Sequence, residues 1–273
     1  MFILDWISGR EISRIAGKLA SLRVKGCLLQ PLISLFTNIY KVNMEEACIP
    51  EEGFSTFNDF FTRKIREKDR FIDQSPHNII SPADGKIIDT GQVRNFTLFS
   101  VKGMQTTVEE LLGSKEDAKL FENGDFIAVY LSPGDYHRFH TPFDCEIFKA
   151  KAIPGKLYPV NSIGIKYVRK LFSVNERLVT YMRSQNGICA YVKVGAANVG
   201  SITVEYDRDL VTNRENGIID RIYSPPVFLK KGDLLGKFNI GSTIILLFEE
   251  GKIQSIINKD DKVKVGKVIA LWK

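Results

Sequence analysis

The sequence predicts an α+β protein, a mainly β barrel-like sandwich catalytic domain preceded by N-terminal amphipathic helices. Three observations carry that expectation. Apolar residues repeat at helical spacing in the first fifth of the chain, and from about residue 54 short β-rich runs alternate with Gly, Pro, Asn and Asp. The length of 273 residues at 44% hydrophobic content also suffices for a sizeable buried core.

In the helical part, Ile12, Ile15, Ala16, Leu19 and Leu22 form one stripe, with Arg14, Lys18 and Arg23 interleaved. Leu29, Leu32, Ile33, Phe36, Ile39 and Tyr40 form a second. Such stripes serve equally to pack on a domain or to lie on a membrane. The charge distribution bears on that choice. The chain has a formal net charge of +6; residues 1–43 hold six Lys/Arg and two acidic residues, leaving 32 and 30 for the rest. Most of the imbalance therefore sits beside the apolar start, residues 1–7, with Phe2, Ile3, Leu4 and Trp6. That placement fits an anionic membrane at least as well as a polynucleotide. Basic residues near an anionic surface contribute on the order of 1 kcal/mol each, so insertion of the apolar side chains has to supply the rest. The expected division is 1–53 as a helical membrane-associating region and 54–273 as the catalytic domain.

The β-rich runs are 79–80, 86–88, 126–131, 189–194, 201–205, 243–248 and 268–271, with short helical insertions at 107–112 and 115–121. Gly232-Asp233 and Asp260-Asp261 occupy similar contexts, an internal echo that suggests a duplicated hairpin. Cys27, Cys48, Cys145 and Cys189 are far apart and form no C-x-x-C pair, which points to a reducing compartment rather than a disulfide framework. No apolar stretch reaches the roughly 18 residues of a membrane-spanning helix, and no signal-peptide pattern opens the chain.

Three segments carry candidate chemistry. Gly241-Ser242-Thr243 precedes an apolar strand, where Gly and Ser serve equally well as structural residues or as a strained peptide beside a nucleophile. The segment SPGDYHRFH supplies Asp135, His137 and His140, two of only three histidines in the chain. The segment SPADGKI places Asp84 in a turn, where a carboxylate either closes the turn or orients an imidazole.

Taken together and in order, these motifs resemble those of bacterial phosphatidylserine decarboxylases: a Gly-Ser-Thr processing site, a Tyr-His-Arg-x-His segment and a Pro-Ala-Asp-Gly turn. FNDFFTRKIRE (57–67), LFSVNERL (171–178) and VGAANVGSI (194–202) extend the similarity, as do IAGKLAS and YKVNMEEA toward the N-terminus. Where many members carry Thr in the VGAT stretch, this chain has Ala197.

The resemblance implies a proenzyme. Ser242 attacks the Gly241 carbonyl with His140 as base and Asp84 as the group orienting His140, and the chain divides into 1–241 and 242–273. Ser242 becomes a covalent pyruvoyl group that takes phosphatidylserine as a Schiff base, and His137 is the candidate proton donor to the α-carbon. The implied products are phosphatidylethanolamine and carbon dioxide. Such chemistry needs an electron sink that ordinary side chains lack. Pyridoxal phosphate would require a phosphate cradle, and no Gly/Ser-rich loop of that kind is evident. The implied partners are phosphatidylserine, an anionic membrane surface and the protein's own fragments, with no nucleic acid and no metal. Self-association into a homo-oligomer is left open. The implied location is peripheral, on the cytoplasmic side of the cell membrane.

Two alternatives stay open at the level of sequence. Asp84, His137 and His140 could instead ligate zinc in a hydrolase, which predicts chelator sensitivity and an intact chain. The GDLLG and KVGKVIA stretches are similar to carrier-domain hairpins, although no modifiable Lys at a hairpin tip stands out. Residues 161–170 read as a surface loop or a lid.

Overall fold

The computed structural model describes residues 15, 17–24, 26–101, 104–196, 201–213, 217–239 and 242–273. Residues 1–7, Ile12, Arg14, Ala16, Ala197 and Gly241, all invoked above, lie outside the described residues.

The centre is an eight-stranded antiparallel sheet. Its strands are β4 (Gly85–Gln92), β7 (Asp125–Leu131), β9 (Cys145–Ile153), β10 (Arg177–Arg183), β11 (Ile188–Gly195), β13 (Ile219–Leu229), β15 (Ser242–Phe248) and β17 (Lys262–Val263), in the order β13-β9-β10-β11-β15-β7-β4-β17. The outer strands are β13 and β17, so the sheet is open: the sandwich is present, the barrel closure is not. At the β13 edge Pro225 and Pro226 fall between the two stretches paired with β9, where proline's missing N–H is tolerated.

Strand β15 shows how the sequence makes this core. All seven of its residues are buried, because both faces of the sheet are covered, and a strand covered on both faces reads as an unbroken apolar run. Ile244, Leu246 and Phe248 join one cluster with Ile127, Val129 and Leu131 of β7. Ile245 and Leu247 join the opposite one with Phe126 and Ala128. Two three-stranded sheets cover the first face: β12 (Ile202–Val204), β14 (Leu234–Phe238) and β8 (Arg138–His140), then β16 (Ile253–Ser255), β18 (Val268–Trp272) and β3 (Asn78–Ile80). They contribute Phe139, Phe238, Ile79 and Trp272.

The second face is covered largely by short helices. These include α3 (Val108–Leu112) and α4 (Lys115–Lys119), which follow α1 (Gly26–Tyr40) and α2 (Phe57–Phe61) along the chain. A capping box between Thr107 and Glu110 starts α3, and Gly113 at φ 61° ends it. The buried Arg177 guanidinium then donates to the carbonyls of Leu111 and Glu110, both at 2.6 Å, closing the helix end with a cation. Leu111 is fully buried. Leu111→Ala is expected to destabilise the chain by about 3 kcal/mol, a truncation plus a cavity, seen as a lower urea midpoint. An unchanged midpoint would contradict this packing.

The Gly232/Asp260 echo has a geometric counterpart. Gly232 and Asp260 have φ of +85° and +75°. The next residues, Asp233 and Asp261, accept the backbone N–H three positions earlier, from Lys230 and Asn258, both at 2.8 Å. Cys48, Cys145 and Cys189 are free thiols. Residues 17–20 are helical, as is α1, in agreement with the two stripes.

Helix α1 is apolar on two sides. Leu29 and Ile33 pack with Val42, Phe54 and Phe60, while Leu28, Leu32, Leu35 and Ile39 are 50–68% exposed. No helix among the described residues is long and apolar enough to cross a membrane.

Candidate active site

Strand register brings the predicted segments together. Ser242, the first residue of β15, stands opposite Leu131 of β7 and Gly195 of β11. The chain leaving β7 at Leu131 runs directly into the Ser132–His140 segment. Asp135 closes the turn there, its Oδ2 accepting from Ser132 N at 2.7 Å and Oγ at 2.8 Å. This gives Asp135 the local role that its motif left open. His137 O in turn accepts from Phe238 N at 2.9 Å, four residues before Ser242. The serine's strand and the histidine segment are therefore tied on both sides of the Gly-Ser step.

Ser242 is fully buried, and its Oγ has no hydrogen-bond partner among the described residues. A buried hydroxyl left unpaired costs about 1–3 kcal/mol. The residue paired with it on β11, Gly195, presents no side chain.

His137 is also fully buried. Its ring lies 4.1 Å from that of Phe61, and Nδ1 is 2.9 Å from Asp135 O. A carbonyl only accepts, so Nδ1 carries the proton and Nε2 is a bare lone pair, buried with no partner. Burial, with Arg63 adding to it, pushes this imidazole down to about 3, so it is neutral at physiological pH.

His140 is set by its partners in the same way. Nδ1 lies 2.8 Å from Gly232 O, and Nε2 lies 3.1 Å from Tyr136 Oη. Nδ1 is therefore the donor, and Nε2 accepts from the tyrosine hydroxyl. Burial first, then Arg138 and Arg70, hold His140 below its ordinary value. Burial also pushes Tyr136 well up, which keeps it a donor. Gly232 is required here: its φ of +85° favours glycine, and a Cβ would lie 2.8 Å from Ile72 Cγ2.

Asp84 sits beside this strand, since His140 N donates to Pro82 O at 2.8 Å. Its carboxylate is engaged elsewhere, with Oδ1 accepting from Val265 N at 2.8 Å and Oδ2 from Arg70 Nη2 at 2.6 Å. Burial pushes this carboxyl up, while Arg70 and the Val265 N–H oppose it. The group on His140 Nδ1 is thus Gly232 O, not Asp84. Sequence reasoning missed Gly232, Tyr136 and Arg70 as site residues. The signals were present in a glycine that has to adopt positive φ and in the tyrosine of the Tyr-His-Arg-x-His segment.

A cleft of about 470 Å³ opens onto His140, lined among others by Lys64, Arg70, Tyr136, Arg138 and Gly232. A slightly larger cavity, about 520 Å³, lies by Phe143, Arg183 and Trp272 and contains no predicted site residue. Of these two, the cleft lined by His140 is the one that includes a predicted site residue. Among the described residues no group of three His, Cys, Asp or Glu side chains is placed to hold a metal ion. The zinc alternative finds Asp84 and His140 already committed to Arg70, Val265, Gly232 and Tyr136.

Comparison with known proteins places this chain among the decarboxylases. A family model described as phosphatidylserine decarboxylase matches residues 57–271. A phosphatidylserine decarboxylase proenzyme of Myxococcus xanthus is 38% identical over 273 residues, covering 99% of this chain and 97% of its own. Those of Coxiella burnetii and Brevibacillus brevis are 38% and 37% identical, covering 91% and 96% of this chain and 89% and 94% of theirs. The chain belongs to the phosphatidylserine decarboxylase family.

Proposed function

We propose that this chain is a self-processing enzyme that cuts itself between Gly241 and Ser242 and decarboxylates phosphatidylserine to phosphatidylethanolamine. The observation that carries the reading is the buried, unpartnered Ser242 Oγ at the head of a central strand, on a segment tied to that of two neutral imidazoles. Ser242 Oγ attacks the Gly241 carbonyl and gives its proton to His140 Nε2 as Tyr136 Oη releases that lone pair, converting the peptide to an ester. Elimination at Ser242 leaves Gly241 as a carboxylate and residue 242 as dehydroalanine, whose hydrolysis releases ammonia and leaves a pyruvoyl group. Two chains result, 1–241 and 242–273, and they stay together because β15 remains the buried partner of β7 and β11.

The pyruvoyl group would stand opposite Gly195, which adds no side chain there. It takes the lipid amine as a Schiff base and holds the electron pair released with carbon dioxide. His137, neutral with a bare Nε2, suits a proton shuttle: it accepts a proton released as the amine adds and returns it to the α-carbon. Asp84 acts on His140 at one remove, through the backbone: His140 N donates to Pro82 O, two residues before Asp84.

Residues 1–53 form the membrane-associating region in this reading. Ile15, Leu19 and Leu22 are exposed, as are Leu28, Leu32, Leu35 and Ile39 of α1. A lipid substrate gives that surface its occupant, an anionic bilayer on the cytoplasmic side.

Self-cleavage should depend on pH in a defined direction. Because burial lowers the affinity of His140 for a proton, Nε2 stays bare as pH falls through 6.5, its ordinary value. The rate is expected to be level down to that point and to fall only below it; a rate already halved above it contradicts a buried base. The whole reading is tested by incubating purified protein with labelled phosphatidylserine and a reducing agent. Label on fragment 242–273 is expected, and label on an uncut chain excludes the reading.

A further inference from the structure

The Asp84 carboxylate is held by a charge network centred on Arg70, a residue outside every motif quoted above. Arg70 Nη2 donates to Asp84 Oδ2 at 2.6 Å and to Glu46 Oε2 at 2.5 Å. Glu46 Oε1 accepts from Lys264 Nζ at 2.5 Å, and the next residue, Val265, gives its N–H to Asp84 Oδ1 at 2.8 Å. The network therefore closes on itself, from Asp84 through Arg70, Glu46 and Lys264 back to Val265. The side chains of Arg70 and Asp84 are only 6% and 10% exposed. A second hold on Arg70 is its Nη1, which donates to Asp69 O at 2.9 Å.

We propose that Arg70, clamped by Glu46, is a positioning residue for self-cleavage: it favours the charged form of Asp84 and fixes it beside the strand that carries His140. The proposal rests on the self-processing reading above. Its physical basis is the poor alternative left when Arg70 is removed. Asp84 would then be a buried carboxylate with one N–H for support, and a buried ion without its partner takes up a proton instead. The other charged or titratable groups that feel Asp84 are the Asp135 carboxylate, which disfavours its charge, and at longer range Arg63 and Tyr136. None of these replaces the direct contact. Arg70 itself stays charged, since its hydrogen bonds to Glu46 and Asp84 and their charge outweigh the effect of burial.

The test follows self-cleavage of the full chain on denaturing gels for Arg70→Met and Arg70→Lys, from about pH 6 to 9. Arg70→Met is expected to slow cleavage at least tenfold near neutrality, with the deficit shrinking as pH rises and the isolated carboxyl ionises. Arg70→Lys retains a cation and should recover most of the rate. Cleavage at the parent rate, or slowing by one constant factor at every pH, overturns the proposal.

A second readout does not depend on cleavage: the Asp84 carboxyl is titrated by carbon NMR in the Ser242→Ala chain. Its midpoint should move up with Arg70→Met and, to a smaller extent, with Arg70→Lys, which serves if the methionine variant does not fold. An unmoved midpoint overturns the proposal. Should the midpoint move while the parent chain never cleaves, the self-processing reading fails and the placement of Arg70 stands.

Discussion

Ser242→Ala is expected to yield a single uncut chain that releases no carbon dioxide from phosphatidylserine. The substitution removes one oxygen, and with it both the nucleophile and the only source of the ketone. No side chain can substitute as the electron sink, so the loss should approach the full enzymatic acceleration, on the order of 10⁶-fold or more. Folding should survive. The lost hydroxyl has no hydrogen-bond partner among the described residues, and replacing an unsatisfied buried polar group with a methyl is neutral or mildly stabilising. A variant that melts no lower than the parent but is never cut locates the defect in chemistry rather than in packing.

The two histidines are expected to separate the two reactions. His140 holds its Nδ1 proton on Gly232 O and presents Nε2 as the acceptor, so His140→Ala should slow chain cleavage by roughly 10²–10⁴-fold, the usual contribution of a general base. His137→Ala should still cleave but lose decarboxylation by a similar factor, because the shuttle to the α-carbon is gone. The time course of fragment formation on denaturing gels, run beside carbon dioxide release, distinguishes them. Normal cleavage in His140→Ala, or normal turnover in His137→Ala, contradicts the assignment.

Much of this molecule was legible before its structure, for reasons that differ by element. Strands β7 and β15 announce themselves because sheets buried on both faces need unbroken apolar runs, and β11 reads as a strand despite its buried Lys193. Strand β9 did not, because Lys149 and Lys151 interrupt its pattern. Their charges are met by Asp117 at 2.8 and 3.3 Å, a residue in α4 more than 30 positions away. Strand β13 was hidden by the Pro225-Pro226 step, which reads as a loop until the strand is seen to lie at an edge.

The site divides in the same way. Asp84, His137, His140 and Ser242 stand out because their chemistry and local motifs are short-range in sequence. Their partners do not. Gly232 meets His140 across 92 residues and Arg70 meets Asp84 across 14, so the expectation that Asp84 directly orients His140 had nothing in the chain to correct it.

The most direct measurement is the intact mass of freshly purified, folded protein. Two chains, 1–241 and 242–273, with the smaller one beginning in a carbonyl-bearing residue that borohydride reduces, are the predicted result. One continuous 273-residue chain with an ordinary serine at 242, still active on phosphatidylserine, would contradict it.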